Sequence, residues 1–187
     1  MNSTTLPHLP KVVAFRQALS AESDRGCALL AAAFIDEELR KLITSRLVDD
    51  QKLVEQILFQ NGPLGAFSAR IDFTYAIGLL GKNIHRDLHL VRKIRNDFGH
   101  SPEVISFDDA SLTNRCKELH HTTLDKQTPA RKLFINTVVG MLGVIHGCSS
   151  MTQHFAVGID LDMSKLHEPS ARAAAREMLR NAGVDGA

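Results

Sequence analysis

Leu88-His-Leu-Val-Arg-Lys-Ile-Arg-Asn-Asp-Phe-Gly-His100 is the stretch whose reading decides the fold class. Its apolar residues Leu88, Val91, Ile94 and Phe98 recur at steps of three, three and four, the stripe of an amphipathic helix. Arg92, Lys93 and Arg95 fall off that stripe. Gly99 and Pro102 are stop signals, so the pattern predicts a helix that ends at Gly99 with His100 just beyond it. A cation able to hold a phosphate and a histidine able to move a proton thus stand five residues apart, beside a helix terminus. The plainer reading of the same residues is a solvated basic face and a C-terminal histidine favoured by the negative end of the helix dipole.

Working outward, the chain reads as helix throughout. Val12–Leu19 fits a short helix after an irregular lead-in that holds Pro7 and Pro10. Ser20 is the expected N-cap of a long helix to about Val48, with Glu22 and Asp24 in its first turn. Cys27, Leu30, Ala31, Phe34, Ile35, Leu39 and Leu42 form its apolar stripe; Asp36, Glu37, Arg40 and Lys41 fall on the other side. Asp50–Phe59 repeats the pattern. Asn61-Gly-Pro-Leu-Gly65 is a break. Helices are then expected over Ala66–Leu80, up to Gly99, over Asp108–His121 and over Ala130–Phe155. In the last of these, Gly140, Gly143 and Gly147 weaken the helix unless another backbone packs close. Gly158–Pro169 reads as a linker before a short helix at Ser170–Asn181. No period-two alternation bounded by turn signals occurs. The expected fold is all-α, a bundle of five to seven helices over residues 1–158, followed by 159–187 as linker and short C-terminal helix.

Composition narrows the function classes. The chain has 187 residues, enough for one sizeable core, and a net charge of +1, which demands neither nucleic acid nor an anionic membrane. Cys27, Cys116 and Cys148 lie in no metal-binding or redox spacing and read as reduced, apolar fillers in a cytoplasmic protein. The N-terminus shows no secretory pattern, and the apolar run Leu133–Gly147 is too short and interrupted to span a bilayer, so no membrane association is expected. His85 and His89, four apart, share a helix face at chelating distance. Without a third ligand placed by the spacing, no metal and no cofactor is expected. His120 and His121 read as surface residues. Ser68 and Cys148 have no base assigned to them. No helix-turn-helix flanks the basic helix, so direct sequence-specific DNA reading is not expected.

Gly62-Pro63-Leu64-Gly65, then Ser68, Arg70, Tyr75 and Gly78, and the basic helix with Arg92, Arg95 and His100, resemble the mannitol operon repressor (MltR-like) family over about residues 61–109. Physically, Gly62 and Gly65 free the backbone around Pro63 for a tight corner, and Arg70 on an apolar helix needs a carboxylate or carbonyl partner. The resemblance implies an all-helical cytoplasmic repressor. With no DNA-reading element found, it would act through a protein partner. A homodimer is expected from apolar surface at Phe67, Phe73, Tyr75, Phe98 and the Gly-containing helix. Arg95-Asn-Asp-Phe-Gly-His100 is also similar to the Arg-x4–6-His pattern of HEPN-type ribonucleases, which implies a metal-independent cleavage of RNA, or an inactive relative. There His100 would move a proton and Arg95 would hold the phosphate. Five residues along an ideal helix turn by about 140°, so the two converge only if Gly99 ends the helix first.

Overall fold

The computed structural model describes residues 9–60, 62–158 and 168–181. All regular structure among them is helical: α1 (Leu9–Ala21), α2 (Asp24–Arg46), α3 (Gln51–Val54), a π-helical segment (Glu55–Gln60), α4 (Phe67–Ala76), α5 (Lys82–His100), α6 (Ala110–Lys117), α7 (Ala130–Met151) and α8 (Pro169–Asn181). The all-α expectation holds, with slightly more helices than foreseen because α3 is a single turn that passes into the π-helical segment. Residues 1–155 form one compact unit and 156–187 a second. The expected linker lies mostly outside the described residues. In the second unit α8 carries no buried residue.

In the first unit α2 is the central element, packed against α1, α4, α5 and α7. Its Cys27, Ala31, Ile35, Leu39 and Leu42 are fully buried, as the stripe predicts, but Leu30, placed in the same stripe, is exposed. Leu88, Val91, Ile94 and Phe98 of α5 are likewise fully buried. Each such side chain contributes about 1.5–3 kcal/mol relative to exposure. From the far side α7 brings Leu133, Phe134, Val138, Met141 and Ile145 into the same core. At 22 residues α7 is long and apolar enough to cross a membrane by length and composition alone, more than the run Leu133–Gly147 suggests. Its buried face is accounted for by the bundle core, which includes residues of α1, α2, α5 and α6.

Several boundaries differ from expectation. The N-cap of α2 is Ser23, not Ser20: the Ser23 hydroxyl accepts from the Gly26 N–H at 3.0 Å, while the Ser20 hydroxyl donates back to the Arg16 carbonyl within α1. Helix α4 stops at Ala76, because Gly78 takes a left-handed φ of 75° that ends the ladder. Helix α5 does not stop at Gly99. It runs through His100, and the Ser101 N–H closes the last turn on the Asp97 carbonyl at 3.0 Å. The stop comes from Pro102, which disfavours helical backbone at the residue before it. Helix α6 is shorter than Asp108–His121. Helix α7 ends at Met151, after which the Phe155 N–H bonds the Arg46 carbonyl and the Arg46 guanidinium lies 4.1 Å from the Phe155 ring centroid.

Of the three α7 glycines, only Gly140 has a close backbone neighbour. A Cβ there would stand 2.9 Å from the His121 carbonyl, whereas Gly143 and Gly147 face open space. Burial raises the Cys27 thiol to about 11 and the Cys116 thiol to about 12, in keeping with inert fillers.

Candidate functional site

The corner at Gly62–Gly65 sets the start of α4. The Leu64 N–H bonds the Leu58 carbonyl at 2.7 Å, and Gly62 lies so close to the π-helical segment that a Cβ would meet the Ile57 carbonyl and come within 2.7 Å of Leu58. Pro63 is exposed at the tip and Leu64 is buried in a small secondary core with Ile43, Val54 and Phe59. The motif therefore fixes a bend, and the bend aims α4 across α2.

Between α2, α4 and α5 the bend leaves a cleft of about 560 Å³. Leu29, Ala32 and Ala33 of α2 and Phe67 of α4 give it an apolar wall. Asp36, Gly65, Ser68, Arg70, Arg92, Arg95 and Asn96 give it a polar one. Five of the residues singled out in the sequence (Gly65, Ser68, Arg70, Arg92 and Arg95) meet here although they come from a loop and two helices.

The charges in the cleft do not cancel. Arg70 Nε and Nη2 each donate to the Asp36 carboxylate at 2.6 Å, and Nη1 donates to the Leu64 carbonyl at 2.5 Å. Arg70 thus finds both kinds of partner it needs, and Asp36 is spoken for. Arg92 is half-buried, and its Nε has no hydrogen-bond partner among the described residues. Arg95 is exposed and donates to its neighbour Asn96 Oδ1 at 3.1 Å. A buried guanidinium nitrogen without an acceptor carries a desolvation cost. The cleft can accept a carboxylate or phosphate oxygen at Arg92 and Arg95, with apolar contact beside it.

His100 does not line this cleft. Because α5 continues through it, Arg95 and His100 point about 140° apart and do not meet within the chain. The geometry on which the ribonuclease reading depends is absent from the chain.

Other ionisable groups are tied into the fold. Asp87 is fully buried and accepts from the His120 and His121 backbone N–H groups at 2.8 and 2.7 Å, with His121 Nδ1 at 3.1 Å. His121 is accordingly half-buried rather than on the surface. Glu38, buried on α2, lies between Lys41 Nζ and His146 Nε2, each at 2.8 Å. Burial raises its carboxyl, but hydrogen bonds from Lys41 and His146 and the charges of Lys41 and Lys11 outweigh it and hold the group down to about 2. Sequence reading missed Asp36, Glu38 and Asp87 because an acid on a helix gives no local sign of the cation or amide it will face.

The described residues thus form an all-α bundle whose α2–α4–α5 cleft is lined by three arginines and one aspartate. The chain belongs to the mannitol repressor family, whose sequence model matches residues 17–137. It is 30% identical over 67 residues to the mannitol operon repressor of Escherichia coli strain K12, an alignment covering 36% of this chain and 34% of that protein. The same repressor from Escherichia coli O6:H1 matches equally. The chain thus spans about a third of the length of the curated relatives it matches. In structure it is similar to a chain from the X-ray structure of the MtlR–HPr complex of Escherichia coli, with a TM-score of 0.61 at 18% identity, covering 71% of this chain and 99% of that one. That likeness confirms the fold.

Proposed function

We propose that this chain is a cytoplasmic regulator of the repressor type that works by engaging a protein partner, as a homodimer, rather than by reading DNA sequence itself. The observation that carries the reading is the uncompensated pair Arg92 and Arg95 in a cleft whose carboxylate, Asp36, is already bound by Arg70. An acidic side chain offered by a partner supplies the missing negative charge, and Leu29, Ala32, Ala33 and Phe67 give its flanking apolar residues a place to pack. Family membership supports a role in repression. The structural neighbour was solved as a complex with HPr, which makes HPr the first partner to test.

Direct DNA reading has less behind it. The net charge of +1 supplies little counterion-release drive. The most basic helix, α5, buries its stripe in the core and turns Arg92 into the cleft. For dimerisation, Phe98 is consumed by the core, and Phe67 and Phe73 pack against the main and the secondary core respectively, but Tyr75, with Leu53 and Ile57, remains exposed and offers apolar surface to a second copy.

The test sets two titrations of the purified chain side by side, one with HPr from the same source and one with duplexes from upstream of the gene it regulates. The expected result is a saturable protein complex and equal, salt-sensitive binding to native and scrambled duplexes. Nanomolar binding to one duplex with strong discrimination, and no protein complex, would reverse the reading.

A further inference from the structure

Outside the cleft, nearer the N-terminal end of α5, three ligand-type atoms converge. Asp72 Oδ1 on α4 lies 2.8 Å from His85 Nε2 and 2.9 Å from His89 Nε2, both on α5, and the two imidazole nitrogens are 3.3 Å apart. The pair His85 and His89 comes from the i, i+4 spacing on one helix face; the third member comes from the neighbouring helix, where no sequence spacing could place it. The Tyr75 ring stacks on His85 with centroids 4.7 Å apart and limits its rotation.

Two imidazole N–H groups can both donate to Asp72 Oδ1, and the same three atoms can instead turn their lone pairs to one ion. A single cation at the centre accepts all three lone pairs at once. The dimensions agree: metal–ligand bonds of about 2.0–2.1 Å set ligand atoms about 3.0 Å apart in a facial octahedral arrangement and about 3.3 Å apart in a tetrahedral one. The observed sides of 2.8, 2.9 and 3.3 Å lie close to that range. Asp72 is exposed and both histidines are partly so, which leaves an approach for the ion and open positions for water.

We infer that Asp72, His85 and His89 form a binding site for a divalent first-row transition metal, with Zn²⁺ the leading occupant. Two imidazoles and one carboxylate suit ions of this borderline class and do not suit Ca²⁺ or Mg²⁺, which take oxygen ligands. The bound ion joins α4 to α5.

The experiment uses tag-free full-length protein stripped with EDTA and dialysed. Co²⁺ is titrated in while its visible d–d absorption is followed, and Zn²⁺ is then added as competitor. Wild type is expected to saturate at one Co²⁺ per chain, to lose the band to Zn²⁺, and to melt at a higher temperature with Zn²⁺ than with EDTA. His85→Ala and His89→Ala should each weaken binding by at least about 10–100-fold, the cost of losing even an outer-shell partner of a metal site. Asp72→Asn, which keeps the shape of an exposed side chain, should weaken binding while melting like wild type in EDTA. His120→Ala, exposed and bonded to Arg86, should bind like wild type. Wild-type binding indistinguishable from that of the His85→Ala, His89→Ala double variant, whether both are weak or both strong, would overturn the assignment.

Discussion

Arg70 and Asp36 face each other through two hydrogen bonds of 2.6 Å, one from Nε and one from Nη2, across the floor that separates α2 from α4. That pairing ties the start of α4 to the middle of the central helix, and it removes Asp36 as a counter-charge for the two arginines of α5. The pair is largely shielded, with Arg70 at 11% and Asp36 at 26% side-chain exposure.

Removing the guanidinium should be costly. Arg70→Ala leaves a half-buried carboxylate and the Leu64 carbonyl without their donor and is expected to destabilise by about 2–3 kcal/mol, somewhat below the cost of breaking a fully buried pair. Arg70→Lys keeps the charge but loses the planar two-point bond and should recover only part of that loss. Denaturant melts of wild type and both variants check the order. Equal stability of all three would remove the pair from the structural account.

Four glycines separate backbone strain from packing. Gly143→Ala and Gly147→Ala, in open space on α7, should each stabilise by about 0.5–1 kcal/mol by raising helix propensity. Gly140→Ala should destabilise, because the new Cβ would press on the His121 carbonyl at 2.9 Å. Gly78→Ala meets no atom but must hold a φ of 75°, at a cost of about 1–2 kcal/mol. Thermal melts of the four variants should therefore split two up and two down.

Acid stability should depend on Glu38. Its carboxyl titrates at about 2 in the folded chain against 4.5 when unperturbed. A depressed folded value means that the stabilisation is present above the unfolded value and is lost as pH falls from about 4.5 towards 2. The shift corresponds to a contribution on the order of 3 kcal/mol near neutral pH. Glu38→Gln should lower stability at pH 7 and flatten the decline between those pH values. A variant whose stability falls with acid as steeply as wild type would place the effect elsewhere.

The sequence carried the core of the fold and half of the site. The stripe Leu88, Val91, Ile94 and Phe98 is legible because helical periodicity alone tells which face is dry, and all four are buried. The Gly62–Gly65 corner and the demand of Arg70 for a partner are legible for equally local reasons. The start of α2 was ambiguous because Ser20 and Ser23 are both competent caps, and only the geometry shows which hydroxyl turns inward to a free N–H. Gly99 misled because a glycine weakens a helix without ending it when a buried Phe98 on one side and a late Pro102 on the other keep the turn intact. Asp36 and Asp72 were invisible for a different reason. Each meets its partner across more than ten residues of chain, and sequence spacing within one element says nothing about such a pair.

The central claim is that Arg92 and Arg95 hold the acidic group of a protein partner in the α2–α4–α5 cleft. The most direct measurement is calorimetric titration of the proposed partner into wild type and into the Arg92→Ala, Arg95→Ala double variant, with melting curves of both. Unpaired with any carboxylate among the described residues, the two side chains contribute little to folding, so the variant should melt within a few degrees of wild type. Its affinity should fall by more than about tenfold, consistent with a loss of about 2–5 kcal/mol when one member of a buried charge pair is truncated. Unchanged affinity in a folded double variant would contradict the account.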